Sequence, residues 1–137
     1  MIRQLIEQHR RLEVSLDALL AMLGPTPQAR TELGSRFHDA ASIALAHYDF
    51  EDRGLFDSLR SEMPAFVAKL EAQHDEVREL SQAVTELLRA DVMGERERSD
   101  LLLLCRRFVA MAQHNIIEEE RDFFPLVAIR NTSGWGA

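Results

Sequence analysis

The stretch HYDFEDRGLFDSL, residues 47–59, occurs a second time in altered form as HNIIEEERDFFPL, residues 114–126. In each copy a glutamate follows the histidine by four residues, and an acidic residue follows that glutamate directly. Four residues of an α-helix advance about 400° around the axis and about 6 Å along it, so the histidine and the glutamate leave the same face one turn apart. Each copy therefore predicts a helical His-x-x-x-Glu pair that is suited to chelating a metal ion.

A Gln-His pair lies upstream of each copy, as Gln8-His9 and as Gln73-His74. Both of these histidines fall in the middle of aliphatic helical stripes, where an unpaired imidazole is costly to bury. We therefore expect one metal site with an approximate twofold relation, in which the glutamates are shared and the imidazoles come from different helices. The predicted metal ligands are His9, His47, Glu51, His74, His114 and Glu118.

Helical periodicity dominates the chain, and no stretch alternates convincingly with period two. We predict helices over about residues 2–23, 28–59, 64–94 and 96–124, bounded by glycines and prolines. Four long helices with short connections predict an all-α, up-down-up-down four-helix bundle. We assign residues 1–130 to this bundle and residues 131–137 to a short C-terminal tail.

The composition limits the classes of function. A chain of 137 residues that is 46% hydrophobic is long enough to form one domain with its own core. The formal net charge of -7, without a basic patch, argues against nucleic acid and anionic membranes as partners. The N-terminal residues lack the apolar region of a signal peptide, and a single cysteine suits a reducing compartment. We therefore expect a cytoplasmic protein.

Two residues with ligand chemistry are excluded from the predicted site by helical arithmetic. His38 precedes His47 by nine residues and so faces the opposite side of the same helix, which predicts a surface or packing role. The same spacing separates Cys105 from His114. We expect Cys105 to be a small buried hydrophobic residue.

Three further glutamates lie close to predicted ligands. Glu13 forms a third His-x-x-x-Glu string with His9, and we expect it to form an ion pair at the helix edge, with a supplementary ligand or hydrogen-bond acceptor as the alternative. In the run of residues 118–120 we expect Glu118 to face inward. Glu119 and Glu120 are expected on solvated faces.

The early histidine, His74, the two His-x-x-x-Glu strings and the FFPL of residues 123–126 resemble the hemerythrin-like HHE cation-binding domain. The resemblance covers the chain from Ile2 to about Leu126. It implies a four-helix bundle around two non-haem iron ions that are joined by oxo or hydroxo and carboxylate bridges. It also implies terminal ligation by His9, His47, His74 and His114, with Glu51 and Glu118 as the bridges. Zinc or manganese is possible, since these side-chain types do not select iron over its neighbours.

One departure from the family pattern bears on the activity. The oxygen-carrying hemerythrins have a second histidine one turn after the position of His74, where this chain has Arg78. The four-histidine set is more similar to the HHE domains of the iron–sulfur-centre repair proteins, which handle nitric oxide and oxidative damage. Reversible oxygen storage is therefore not expected.

Three functional hypotheses are compatible with these patterns. Open coordination positions favour a protein that binds, senses or reacts with a small diatomic molecule or a peroxide, such as O2, NO or H2O2. The second hypothesis is an iron-handling or signalling module, in which metal occupancy stabilises the bundle and changes a surface that binds a protein partner, without turnover. The third is an interaction bundle that holds no metal.

Overall fold

The structure, a computed structural model, describes residues 1–24 and 30–132, and within these residues it contains four long helices and no β-strand. Helix α1 is Ile2–Leu20, and helix α3 is Pro64–Leu88. Helix α2 covers residues 30–59, and helix α4 covers residues 95–132. The predicted all-α four-helix fold is confirmed.

Helices α2 and α4 each contain a π-helical turn. In α2 the turn is Glu51–Phe56, and in α4 it is Glu119–Phe123. The turn in α4 explains how this helix continues past Pro125, where we expected it to kink or end. The Phe124 N–H already donates to the Glu119 carbonyl, five residues back, so the α-helical hydrogen-bond ladder is interrupted before the proline.

Two other predicted helix ends differ from the structure. Helix α1 ends at Leu20 rather than Leu23, because its last residues tighten into a turn in which the Leu23 N–H donates to the Leu20 carbonyl. Helix α3 ends at Leu88 instead of continuing toward Gly94. Residues 28–29 of the predicted second helix and 133–137 of the predicted tail lie outside the described residues.

Neighbouring helices run in opposite directions. At one end of the bundle Arg106 on α4 donates to the Leu23 carbonyl after α1, and near the other end Arg10 on α1 pairs with Glu120 on α4. Helix α1 packs against α2 and α4, and α3 packs against the same two helices. All four helices therefore contribute to one interior.

The bundle interior consists of two apolar clusters with a polar layer between them. The larger cluster contains Phe37 and Phe108, and the smaller contains Phe56 and Phe123. Each helix crosses the polar layer between a residue of one cluster and a residue of the other, as His9 does between Leu5 and Leu12. Fully burying one leucine or phenylalanine contributes about 1.5–3 kcal/mol, so the flanking clusters can offset the cost of the polar layer.

Candidate metal centre

The polar layer brings together five side chains from all four helices. Helix α1 contributes His9, α2 contributes His47 and Glu51, α3 contributes His74, and α4 contributes Glu119. None of the five is more than 3% exposed. Buried imidazoles and carboxylates in one layer are costly unless they are paired or coordinate a metal ion.

The donor atoms on one side of this layer have the spacing of ligands around a single ion. His9 Nε2 and His47 Nε2 are 2.9 Å apart, and His47 Nε2 is 2.9 Å from Glu51 Oε1. Glu119 Oε1 is 3.0 Å from His9 Nε2. Two ligands at about 2.1 Å from an ion on perpendicular bonds would lie about 3.0 Å apart. These residues offer four ligand atoms that all lie within 4.8 Å of one another.

Both carboxylates also face His74, on the other side of the layer. Glu119 Oε2 is 3.1 Å from His74 Nε2, and Glu51 Oε1 is 3.3 Å from the same nitrogen. Within the described residues, neither oxygen of Glu51 has a partner in hydrogen-bond geometry. A buried carboxylate without such partners is strongly destabilising, and a cation between the carboxylates would remove that cost. The set therefore fits a bound metal cation, and its carboxylate oxygens face imidazoles on both sides of the layer.

Each of the three imidazoles also donates a hydrogen bond from Nδ1, the ring nitrogen that does not face the site carboxylates. The acceptors are Glu120 Oε2 for His9 at 2.7 Å, Gln8 Oε1 for His47 at 2.6 Å, and Asp52 Oδ1 for His74 at 2.9 Å. A neutral imidazole that donates from Nδ1 carries its lone pair on Nε2. These contacts therefore fix the ring orientation and the tautomer that metal ligation through Nε2 needs.

Protons occupy this site when it holds no metal. Burial opposes protonation of His47, but the neighbouring carboxylates of Glu119 and Glu51 outweigh it and raise the pKa of His47 to about 9. Burial also opposes protonation of His74, while Asp52, Glu119 and Glu51 raise its pKa to about 11. Burial and then the charge of Glu119 raise the pKa of Glu51. Burial acts against ionisation of Glu119, yet its histidine partners hold its pKa well below the ordinary value. A metal ion must therefore displace protons from these imidazoles.

The structure does not bring two of the predicted residues, His114 and Glu118, into this cluster. The His114 side chain is 53% exposed. Glu118 lies at the edge, where Lys69 Nζ is 2.9 Å from Glu118 Oε1 and Gln73 Nε2 donates to Glu118 Oε2. Both contacts lower the pKa of Glu118. The expectation of a solvated Glu119 is wrong, since this residue is fully buried.

His114 and Glu118 lie outside the cluster because α4 corresponds to α2 with a shift of one residue relative to the alignment of the two sequence copies. The π-helical turns begin at Glu51 and at Glu119, so these two glutamates are the equivalent pair. One turn earlier, the place that His47 has in α2 is taken in α4 by Asn115, which is fully buried. The structure therefore pairs His47-x-x-x-Glu51 with Asn115-x-x-x-Glu119.

Aromatic contacts repeat the same correspondence. Phe56 of α2 stacks on His74 with ring centroids 5.3 Å apart and planes inclined by 17°. Phe124 of α4 stacks on His9 with centroids 5.3 Å apart and planes inclined by 18°. Alignment of Phe56 with Phe124 instead of Phe123 is the sequence signal that would have identified Glu119.

Glu120, which was also expected on a solvated face, is half-buried and contacts His9. The expectations for three other residues agree with the structure. His38 is exposed on α2. Cys105 is buried in the larger apolar cluster, and burial raises the pKa of its thiol to about 12. Glu13 forms an ion pair with Arg10 on the surface of α1.

In the described parts of the chain, no helix combines the length and the apolar character that crossing a membrane requires. A model of the family described as "Hemerythrin HHE cation binding domain" matches residues 1–128. No curated protein and no solved structure matches the chain. The family match covers α1, α2 and α3, most of α4, and every residue of the buried cluster. The chain thus belongs to the hemerythrin HHE cation-binding family, and the side chains that could hold the cation converge inside its bundle.

Proposed function

We propose that this protein holds a non-haem di-iron centre that binds, senses or reacts with a small diatomic molecule or a peroxide. The observation that carries the proposal is the position of two buried carboxylates, Glu51 and Glu119, between imidazoles on opposite sides of the polar layer. Carboxylate and imidazole together suit iron, and manganese or zinc are the nearest alternatives.

The roles of the five residues follow from their distances. His9 and His47 would hold one ion and His74 the other, while Glu51 and Glu119 would be shared. With only these five protein side chains as ligands, two bound ions would keep open coordination positions. Iron bound there would supply both ligand binding and one-electron redox chemistry.

The protein itself orients the ligands and limits access of water. The acceptors behind each Nδ1 keep the three Nε2 atoms directed at the carboxylates. Phe56 and Phe124 cover His74 and His9, and they belong to the smaller apolar cluster. A hydrophobic shell of this kind lowers the local dielectric constant and tunes the metal.

A surface cleft of about 360 Å³ reaches one edge of the site. It is lined by Gln8, Ala46 and His47, among others, and so touches one imidazole and the residue that orients it. The other site imidazoles, His9 and His74, are fully buried. An approach at this edge of the site supports a ligand of a few atoms over a large organic substrate.

The proposal is tested by metal analysis of protein purified under low oxygen, followed by optical spectra of the reduced, air-exposed and NO-treated protein. We expect iron in the isolated protein and a spectrum that changes with O2 or NO. The His74→Ala variant should lose metal, whereas His114→Ala, which removes an exposed imidazole, should keep it. Protein that contains neither iron nor another transition metal would overturn the proposal. A large melting shift on iron addition without any response to NO, O2 or peroxide would instead support the signalling module.

A further inference from the structure

Asn115 occupies the place in α4 that His47 occupies in α2, and it keeps the same kind of partner. Gln8 Oε1 accepts from His47 Nδ1 at 2.6 Å. Gln73 Oε1 accepts from Asn115 Nδ2 at 2.9 Å. Each glutamine thus accepts a hydrogen bond from one end of a buried side chain, His47 or Asn115. The opposite end of that side chain is left for a different partner.

A chain of hydrogen bonds determines which end of the Asn115 amide is free. Lys69 Nζ lies 2.9 Å from Glu118 Oε1, and a carboxylate that is paired with an ammonium group can only accept hydrogen bonds. Gln73 must therefore direct its Nε2 to Glu118 and its Oε1 to Asn115. Asn115 in turn must present Nδ2 to Gln73, which leaves Oδ1 as the free atom. Glu118 is thus a positioning residue for the amide.

Asn115 Oδ1 is a buried acceptor, and among the described residues it has no hydrogen-bond partner. Leaving such an oxygen unpaired costs about 1–3 kcal/mol. The equivalent atom in the other half is His47 Nε2, which belongs to the set of close donor atoms around Glu51 and Glu119. An amide oxygen is a metal ligand in its own right, and it favours harder cations than imidazole does.

We propose that the two metal positions in this protein are unlike and that Asn115 Oδ1 is a ligand in the weaker one. This inference rests on the proposed metal centre. The position beside His9 and His47 has two imidazoles, whereas the position beside His74 has one imidazole and the amide. The first position binds its ion tightly. The second binds about ten-fold or more weakly and prefers a hard ion such as Mn2+ over Zn2+.

The test is titration of the full-length, metal-free protein with Zn2+ alone and with Mn2+ alone, read by calorimetry and, for Mn2+, by electron paramagnetic resonance of the free ion. The native protein should show one tight and one weak event, and the second should be relatively stronger with Mn2+. Asn115→Leu, of similar size, should keep the tight event and lose the weak one. Asn115→Asp should retain the weak event and tighten it.

His47→Asn provides the converse variant, since it gives both positions one amide and one imidazole. It should weaken the tight event by about ten-fold or more, toward the affinity of the other position. Thermal unfolding of every metal-free variant checks that the bundle is folded. Two equal binding events in the native protein, or two events retained in Asn115→Leu, would overturn this inference and leave the metal centre intact. Absence of any binding would overturn the metal centre itself.

Discussion

Tyr48 stacks on His74 with ring centroids 4.0 Å apart and planes inclined by 14°. Tyr48 is fully buried, and among the described residues its hydroxyl has no hydrogen-bond partner. Burial raises the pKa of the phenol, and the charges of Glu119 and Glu51 raise it further, so the hydroxyl stays protonated. A protonated and unpaired donor therefore lies beside the candidate metal centre.

The Tyr48→Phe substitution tests whether this hydroxyl serves a bound ligand. In the metal-free protein we expect stability to rise by about 1 kcal/mol, because an unpaired O–H is no longer buried. Metal content should stay unchanged, while NO should bind more weakly by the equivalent of one hydrogen bond, about two- to ten-fold. Thermal unfolding, metal analysis and NO titration measure the three effects. If the affinity for NO is unchanged, the hydroxyl does not contact the bound ligand, and the role of Tyr48 is only to pack against His74.

Glu118 and Glu119 offer a matched pair of isosteric substitutions at adjacent positions. Glu119→Gln removes a charge that contacts imidazoles on both sides of the site, so we expect metal affinity to fall about 10- to 100-fold. Glu118→Gln keeps an oxygen that can accept from Gln73 and loses only the pairing with the exposed Lys69. Its metal affinity should stay within about two-fold of the native value, since exposed ion pairs contribute little. Metal titration of the two variants measures both effects. A larger loss of metal affinity in Glu118→Gln than in Glu119→Gln would instead support Glu118 as the ligand, as the sequence predicted.

Much of the architecture could be predicted because the apolar stripes are regular. His9 and His74 lie in the middle of such stripes, and the structure buries both in the polar layer. His47 and Glu51 are one turn apart on α2, as the spacing predicts, and both are buried. The α-helical period alone was sufficient for these four residues.

The structure differs from the sequence prediction in which residues of α4 face inward, because the His-x-x-x-Glu string at residues 114–118 competed with the periodicity of the whole helix. Cys105 was expected to be buried, and His114 nine residues later must then face outward, which its exposure confirms. The inward stripe continues instead through Ala112 to Glu119, seven residues on. The π-helical turns could not be predicted, because they depend on contacts between helices and not on local propensity.

Asp52 makes the stability of the metal-free protein depend on pH. Asp52 Oδ1 accepts from His74 Nδ1 at 2.9 Å, and Arg78 lies 2.6 Å from Asp52 Oδ2. Although burial opposes protonation of His74, Asp52 and the site glutamates raise its pKa from 6.5 to about 11. The stabilisation that a raised pKa provides is complete below the unfolded value and is lost as pH rises through the folded value. We therefore expect stability to fall from about pH 7 to 11.

Asp52→Asn should make this loss smaller and shift it to lower pH, because it removes a cause of the raised pKa of His74. Near pH 7 the metal-free variant should be less stable by roughly 1–2 kcal/mol. Asp49→Asn is the control, since Asp49 also pairs with Arg78, at 3.2 Å, but lies outside the contacts of His74. Urea unfolding of both metal-free variants across this pH range measures the effect. Identical pH profiles for the two variants would contradict the role given to Asp52.

The cleft beside His47 predicts where a small ligand enters. Ala46→Trp places a large ring in this cleft of about 360 Å³, so binding of NO or O2 to the metal-loaded protein should slow several-fold. Metal content should not change, because Ala46 is exposed. Ala83→Trp fills a separate cleft of about 400 Å³ between α3 and α4 and should leave the rate unaltered. Stopped-flow spectroscopy compares the two variants. Equal rates in both would mean that ligands reach the buried imidazoles by fluctuations of the bundle and not through this opening.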